Sequence, residues 1–463
     1  MTKTTNNPKP FKHQGLLALV LLFLCLVTPF AAKAEALYHE FTLKNGLHVV
    51  VAPDFRAPVV AHMVWYKAGS MDEVPNKSGI AHMLEHMMFK GTPTVPAGEF
   101  ARRVSHLGGE DNAFTTRDFT AYHERISRQN LEKIMTMEAD RMANLAITDE
   151  VFQPERAVVL EERNMRVDSR PMGLFYEQLM AKHFPHHPYG HPTIGWRKDI
   201  ENYTLADAQN WYHINYAPNN ALLVLVGDIT VDDAKALAEK YYGPIAARPL
   251  PPKPAITPEP LRPDGQKFTY ADARVRVPII YRLYRAPALT RGVAGAPAPA
   301  LKTLLALSMA ADILGGGPAS RLYQTLVTDQ QLADNVSMSY DPVGRDEQSI
   351  DLYLQPKPGI DPAKLEAAAD KIIGDFLHDG PTQDELDRAI MSARSSDVFA
   401  RDSLMGTANR LASWVMSGGA LDAFQSWLDI LPTLTQADVL HAAQTWMVKA
   451  GTTTGLMVPE KKG

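Results

Sequence analysis

The chain reads as α+β, built from two similar domains joined end to end. Strand-like and helix-like stretches mix without a regular β-α-β count, which opposes a doubly wound parallel sheet. A dense run of prolines interrupts the chain near its middle, where neither helix nor central strand can continue. A capped helix leading into an apolar strand closes each half, as a duplication would leave it.

Composition narrows the function classes before any motif is read. The chain has 463 residues, 45% hydrophobic and 21% charged, which excludes a coiled coil, a collagen-like fibre and a polytopic membrane protein. Lys plus Arg number 47 against 52 Asp plus Glu, a formal net charge of −5. No basic excess invites nucleic acid. Cys25 is the single cysteine, so intramolecular disulfides and cysteine-built metal centres are excluded. A metal site must be made from His, Asp or Glu.

Taken in order, the first element is a leader. Lys3, Lys9 and Lys12 precede an apolar run at 15–30, and Ala32-Lys33-Ala34 follows. This is the order of a secretory signal peptide. Residues 1–34 are expected to be cleaved, placing the mature chain in a bacterial periplasm; an uncleaved inner-membrane anchor is the alternative. Losing Lys3, Lys9, Lys12 and Lys33 with no acid takes the net charge from −5 to −9, and Cys25 goes too.

Residues 39–52 predict two strands about an Asn45-Gly46 turn, and 59–68 predict a third. Helical patterns follow at about 78–90, 97–107 and 127–147, with 112–125 extended between them. Residues 221–228 read as a buried strand and 230–242 as a helix. Pro249, Pro251, Pro252, Pro254, Pro258, Pro260 and Pro263 then make 248–264 a stiff linker. It separates a leading domain at 37–247 from a trailing one at 265–458. Thr204-Leu205-Ala206-Asp207 leads through Trp211 to one closing strand; Thr435-Gln436-Ala437-Asp438 leads through Trp446 to the other. Gly315-Gly316-Gly317 lies between helical stretches at 301–314 and 318–328. It lacks the spacing and lysine of a phosphate loop.

The most informative stretch is His82-Met83-Leu84-Glu85-His86, in a helical pattern with Gly91 just past its end. The two histidines are four apart, so they share one helix face and can bind one tetrahedral zinc ion. Glu85 lies beside them and can reach a water at the metal without becoming a ligand. The order H-x-x-E-H inverts the commoner H-E-x-x-H. A merely packed, hydrogen-bonded histidine pair is the alternative. A catalytic zinc wants a third protein ligand, and the helical segment 155–162 carries Glu155, Glu161 and Glu162. Glu155 and Glu162 share a face two turns apart. On spacing alone, Glu161 and Glu162 compete as ligand.

These motifs resemble the inverted-zincin metallopeptidase family M16, which includes pitrilysin, insulin-degrading enzyme and the mitochondrial processing peptidase. That family's H-x-x-E-H is followed by a glutamate roughly 75 residues on, and Glu162 stands 76 residues after His86. Gly108-Gly109-Glu110-Asp111-Asn112-Ala113-Phe114-Thr115 resembles its G-G-x-x-N-A-x-T strand. His187-Pro188-Tyr189-Gly190-His191-Pro192, Tyr216-Ala217-Pro218-Asn219-Asn220 and Gly315-Gly316-Gly317 with Ser320-Arg321-Leu322-Tyr323 also fit. The resemblance implies two homologous domains, each a largely antiparallel sheet packed with helices. It implies one Zn²⁺ per chain on His82, His86 and Glu162, with Glu155 as the supporting glutamate. It further implies Glu85 as general base, Asn112 and Ala113 as substrate contacts, and hydrolysis of peptides or unfolded polypeptides.

One departure bears on partners. The family's L-R-x-x-x-x-L-x-Y in the trailing domain supplies an Arg and a Tyr to substrate. Here those positions hold Val327 and Asp334. The resemblance therefore implies a zinc-bearing subunit paired with a homologous subunit that supplies the missing pair. Action alone or as a homodimer, with Tyr340 or Arg345 substituting, is the alternative. A non-catalytic structural or binding subunit is the other function the family offers.

Overall fold

The computed structural model describes residues 1–2, 37–253 and 256–460. The expected leader, Cys25 included, lies outside the described residues but for its first two, as do Pro254 and Ala255 of the expected linker.

Six strands form the first sheet: β1 (His39–Thr42), β2 (His48–Pro53), β3 (Val59–Tyr66), β4 (Glu110–Thr115), β5 (Thr120–Ser127) and β6 (Ala221–Gly227). Their order is β1-β2-β6-β3-β5-β4. β2 and β6 run parallel and every other neighbour antiparallel. The β1–β2 hairpin turns at Asn45-Gly46, where Gly46 takes a φ of +87° that a side chain would oppose. The second sheet contains β7 (Gln266–Asp272), β8 (Ile279–Ala286), β9 (Ala333–Tyr340), β10 (Gln348–Pro356) and β11 (Thr453–Pro459), in the order β7-β11-β8-β10-β9. Here β7 and β11 are the parallel pair. Without β1, the two orders match strand for strand, β2 with β7 through to β6 with β11. The two halves thus share one topology, and each sheet is mixed with a single parallel pair.

The closing helices show how sequence sets this plan. Leu205–Asn215 and Gln436–Trp446 each begin with a reciprocal capping box, Thr204 with Asp207 and Thr435 with Asp438. Each box satisfies otherwise orphaned N–H groups, and each helix delivers the chain to an interior strand of its sheet.

Alternation along the first sheet separates two cores. Val49, Val51, Val64 and Leu223 point to the face covered by the helices Ile80–Met87 and Leu131–Asn144. Val50, Met63, Trp65 and Leu222 point to the opposite face, covered by Leu411, Ala412 and Trp414 of the trailing half. The exchange is reciprocal. Phe175, Leu179 and Met180, on the leading half's helix Pro171–His183, pack against Leu283 and Met457 of the second sheet. Each half lends the other a helix, so neither core closes without both.

Polar contacts fix this docking. Arg345 grips Asp72 through both guanidinium arms, at 2.7 and 2.9 Å, and donates to the Asp118 carbonyl at 2.8 Å. Lys253 lies 3.2 Å from the same Asp72 carboxylate. The proline-rich segment lacks regular structure, but it is bound rather than loose. Glu259 is fully buried and accepts from the backbone N–H groups of His186 and His187 at 2.8 and 3.2 Å. Removing one partner of a buried ion pair leaves the other charge stranded. Asp72→Ala is therefore expected to destabilise the protein by about 3–5 kcal/mol, read from the urea midpoint. A loss below about 1 kcal/mol, the range of an exposed ion pair, would show that the bridge is not structural.

Candidate metal centre

The helix Ile80–Met87 carries the histidine motif. Its cap residue, Gly79, has a φ of +88° and sits so close to the turn at Ile194 that a Cβ would fall 2.3 Å from the Ile194 carbonyl oxygen. Gly79 can offer no capping side chain. Glu73 does this instead, accepting from Gly79 N at 2.8 Å and Ala81 N at 2.9 Å. A buried carboxylate thus seats the first turn, just before His82.

The helix Asp149–Arg163 crosses this one and brings Glu155 and Glu162 to the histidines. Glu162 Oε2 lies 3.1 Å from His86 Nε2 and 3.6 Å from His82 Nε2. One ligand atom from each of the three residues falls within 4.8 Å of the others. Bonds of about 2.0–2.2 Å from zinc to nitrogen or carboxylate oxygen suit a ligand set this close. The donor set also suits zinc, because two imidazoles and a carboxylate form a three-ligand site with a position left for substrate.

The surroundings orient these ligands. His86 Nδ1 bonds to Glu155 Oε1 at 2.8 Å. As donor there, it leaves the Nε2 lone pair facing Glu162. Glu155 is held in turn by Lys90, and Glu162 Oε1 is paired with Arg166 at 2.8 Å. His82 has no equivalent support, since its Nδ1 is buried without a hydrogen-bond partner among the described residues. Burial works against a charged His86, but its bonds to Glu155 and Glu162 outweigh that and raise its pKa to about 9. His82, desolvated and beside His86, is pushed down to about 4. A divalent ion bound here would displace the His86 proton, as ligands must be unprotonated.

Glu85 points into the same space and is not part of the ligand cluster. Its Oε2 accepts from Thr115 Oγ1 at 2.5 Å. Burial raises its pKa, with the Thr115 bond opposing; a general base is helped by such a shift toward the working pH. A cavity of about 730 Å³ opens over the cluster, with Asn112, Ala113 and Phe114 of β4 along one side. β4 is the last strand of its sheet, so one edge lacks a strand neighbour. Asn112 Oδ1 accepts from the Ala113 N–H at 2.9 Å.

The structure therefore brings together His82, Glu85, His86, Glu162, Asn112 and Ala113 around one cavity. Glu155 stands behind His86 and does not line the cavity, so it acts through that ring. Glu161 reaches only the cavity rim and bonds to Asn164 at 3.3 Å. Sequence reasoning missed three supporting residues. Lys90 and Arg166 follow His86 and Glu162 by one helical turn, which was the available signal. Thr115 stood within the strand motif without a role. Val327 packs partly buried on the trailing core, and Asp334 is exposed at the start of β9. Neither suggested substitute lines the cavity: Arg345 is held by Asp72, and the Tyr340 hydroxyl donates to the Pro287 carbonyl at 2.7 Å.

Two helices that place an inverted His-Glu-His motif and a distant carboxylate beneath an open strand edge define the architecture of a metallopeptidase site. The comparisons agree with this class. Residues 48–196 match the family model described as insulinase, peptidase family M16, and residues 202–393 match the peptidase M16 inactive domain. The second match begins ahead of β6, which the structure places in the first sheet. The zinc protease PqqE of Helicobacter pylori is 31% identical over 463 residues, covering 97% of this chain and 100% of that protein. An uncharacterized zinc protease of Mycobacterium tuberculosis is 28% identical over 418 residues, 90% of this chain and 91% of that one. Among solved structures, a protease from Helicobacter pylori superposes with a TM-score of 0.84 at 29% identity, covering 91% of this chain and 99% of that chain. The first half of the periplasmic protease PqqL from Escherichia coli shares the fold at a TM-score of 0.75 and 20% identity, covering 91% and 92%. The chain belongs to peptidase family M16.

Loss of a hydrogen bond that orients a ligand typically costs about 10–100-fold in metal affinity. Glu155→Ala is expected to weaken zinc binding by that factor in a competition titration with a chelating dye, with the fold intact by circular dichroism. Unchanged affinity would deny Glu155 its orienting role.

Proposed function

We propose that this chain is a zinc-dependent endopeptidase that cleaves extended peptides or unfolded polypeptides, as the metal-bearing subunit of an M16 heterodimer. The observation that carries the hydrolytic part is Glu85, half-buried, outside the ligand cluster and facing the cavity between His82, His86 and the β4 edge. His82, His86 and Glu162 would hold one Zn²⁺, with His86 oriented by Glu155. When bound, the ion supplies Lewis acidity, polarising the scissile carbonyl and making water easier to deprotonate.

The protein's own groups carry the remaining steps. Substrate lies along β4 as an added strand, its backbone paired to the open edge near Ala113, so that many side-chain sequences are accepted. The Asn112 amide then turns from its own backbone to the substrate's. Glu85 accepts the proton of the attacking water and returns it to the amine nitrogen as the peptide bond breaks. The Thr115 hydroxyl, donating to Glu85, keeps the carboxylate aimed into the cavity.

The heterodimer rests on the residues at the Arg and Tyr positions. Val327 and Asp334 offer no donor to a substrate carbonyl, and Tyr340 and Arg345 are engaged elsewhere. A homologous subunit supplying that pair would complete the site, whereas a homodimer would duplicate the deficiency. The leader-like residues 1–34 support export to the periplasm; no helix among the described residues is long and apolar enough to cross a membrane.

The test compares the zinc-loaded chain, alone and co-expressed with a homologous M16 subunit, on a quenched unstructured peptide. The pair is expected to cleave it and the lone chain to do so only weakly. Glu85→Gln should lower kcat by about a hundredfold to ten-thousandfold while zinc stays bound, and a chelator should abolish turnover. Full activity of Glu85→Gln would remove the assigned base. Full activity of the lone chain would remove the heterodimer.

A further inference from the structure

A second cavity of about 310 Å³ adjoins the metal centre and shares His82, Thr115 and Arg166 with the first. Its charge balance sets it apart. Arg117 lies two residues beyond β4, half-buried in the cavity wall. Its guanidinium makes no ion pair or hydrogen bond among the described residues. It lies over the Tyr189 ring, 5.5 Å from its centre. The other arginines nearby are neutralised: Arg163 by Glu177 at 2.8 Å, Arg166 by Glu162, and Arg345 by Asp72. Glu177 also lines this cavity, but Arg163 holds both of its oxygens. Asp118 and Asp351 are within electrostatic range of Arg117. Both are engaged elsewhere, Asp118 with the Tyr189 hydroxyl at 2.5 Å and Asp351 with Ser349 and Tyr281 at 2.5 and 3.1 Å. Partial desolvation lowers the pKa of His191 below the ordinary imidazole value. The remaining wall is largely apolar, with Val167, Met180 and Ile194.

From this we infer that the cavity is a substrate subsite for a carboxylate, held by the unpaired Arg117 guanidinium while its carbon chain rests on the apolar wall. The inference rests on the peptidase reading, in which substrate follows the β4 edge. That edge ends at Thr115, and the chain then reaches Arg117, so a substrate on β4 passes the mouth of this cavity. A guanidinium fork matches a carboxylate in two-point geometry. Either an Asp or Glu side chain near the scissile bond or the peptide's own C-terminal carboxylate has that chemistry.

The test uses the zinc-loaded full chain, with its partner subunit where one is needed. The probes are neutral peptides in which one Asp, Asn or Lys is walked through every position, each with a free or an amidated C-terminus. One register of Asp is expected to exceed Asn in kcat/KM by about tenfold or more, the worth of a charge-assisted hydrogen bond. A dependence on the free C-terminus in place of an Asp register would identify the terminal carboxylate as the occupant. Arg117→Ala should bring the ratio to about one, Arg117→Lys should keep part of it, and Arg117→Glu should turn the preference to Lys. Binding of the same labelled peptides to zinc-loaded Glu85→Gln gives a readout that needs no turnover. Carboxylate-dependent binding that Arg117→Ala removes would uphold the subsite even if no peptide were cleaved, in which case the hydrolytic reading alone would fail. A carboxylate preference absent from wild type, or unchanged in Arg117→Ala and Arg117→Glu, would overturn the subsite.

Discussion

The hydrogen bond from His86 to Glu155 is the contact on which the site depends. It joins two helices that are distant in sequence, and it fixes which imidazole nitrogen faces inward. With Nδ1 committed to Glu155, only Nε2 remains to meet Glu162. The bond needs a helix register correct to about one residue, since the next position turns by roughly 100°. That register is set from outside the site, by Glu73 at the start of one helix and by Lys90 on the far side of Glu155. The metal position is thus prepared by carboxylates and a lysine that never reach it.

The duplicated topology explains why so long a chain serves one small site. Each half alone leaves an apolar sheet face uncovered, and a helix from the other half covers it. Matching strand orders make β9 the counterpart of β4 and Leu301–Gly315 the counterpart of the histidine helix. That counterpart has no histidine, so the trailing half repeats the scaffold without the metal ligands. Its contribution is support: it closes the outer face of the first sheet and, through Arg345 and Asp72, steadies the segment that leads into the histidine helix.

Much of this was legible in the sequence because its signals are local. The Asn45-Gly46 hairpin, the two capping boxes and the four-residue histidine spacing each report backbone geometry within one turn. The extended stretch at 112–125 resolves into β4 and β5 for the same reason. Choosing Glu162 over Glu161 was not local. Both lie on one helix, and only packing against the histidine helix decides which carboxylate faces inward. The helix exchange between halves was hidden as well, because an amphipathic pattern shows that a face is buried but not what buries it. The proline-rich segment was read by composition as a spacer, yet Lys253 and the Glu259 carboxylate bind it to the leading half, and the Glu259 carbonyl accepts from Arg285 of the trailing half at 3.0 Å.

The central claim is that His82, His86 and Glu162 together hold one zinc ion. X-ray absorption at the zinc edge of the metal-loaded chain tests it directly, in wild type and in Glu162→Ala. The account predicts one ion per chain with two imidazole ligands and oxygen completing the shell, and a marked loss of bound zinc in the variant. A first shell with fewer than two imidazoles, or full zinc occupancy with an unchanged spectrum in Glu162→Ala, would contradict it.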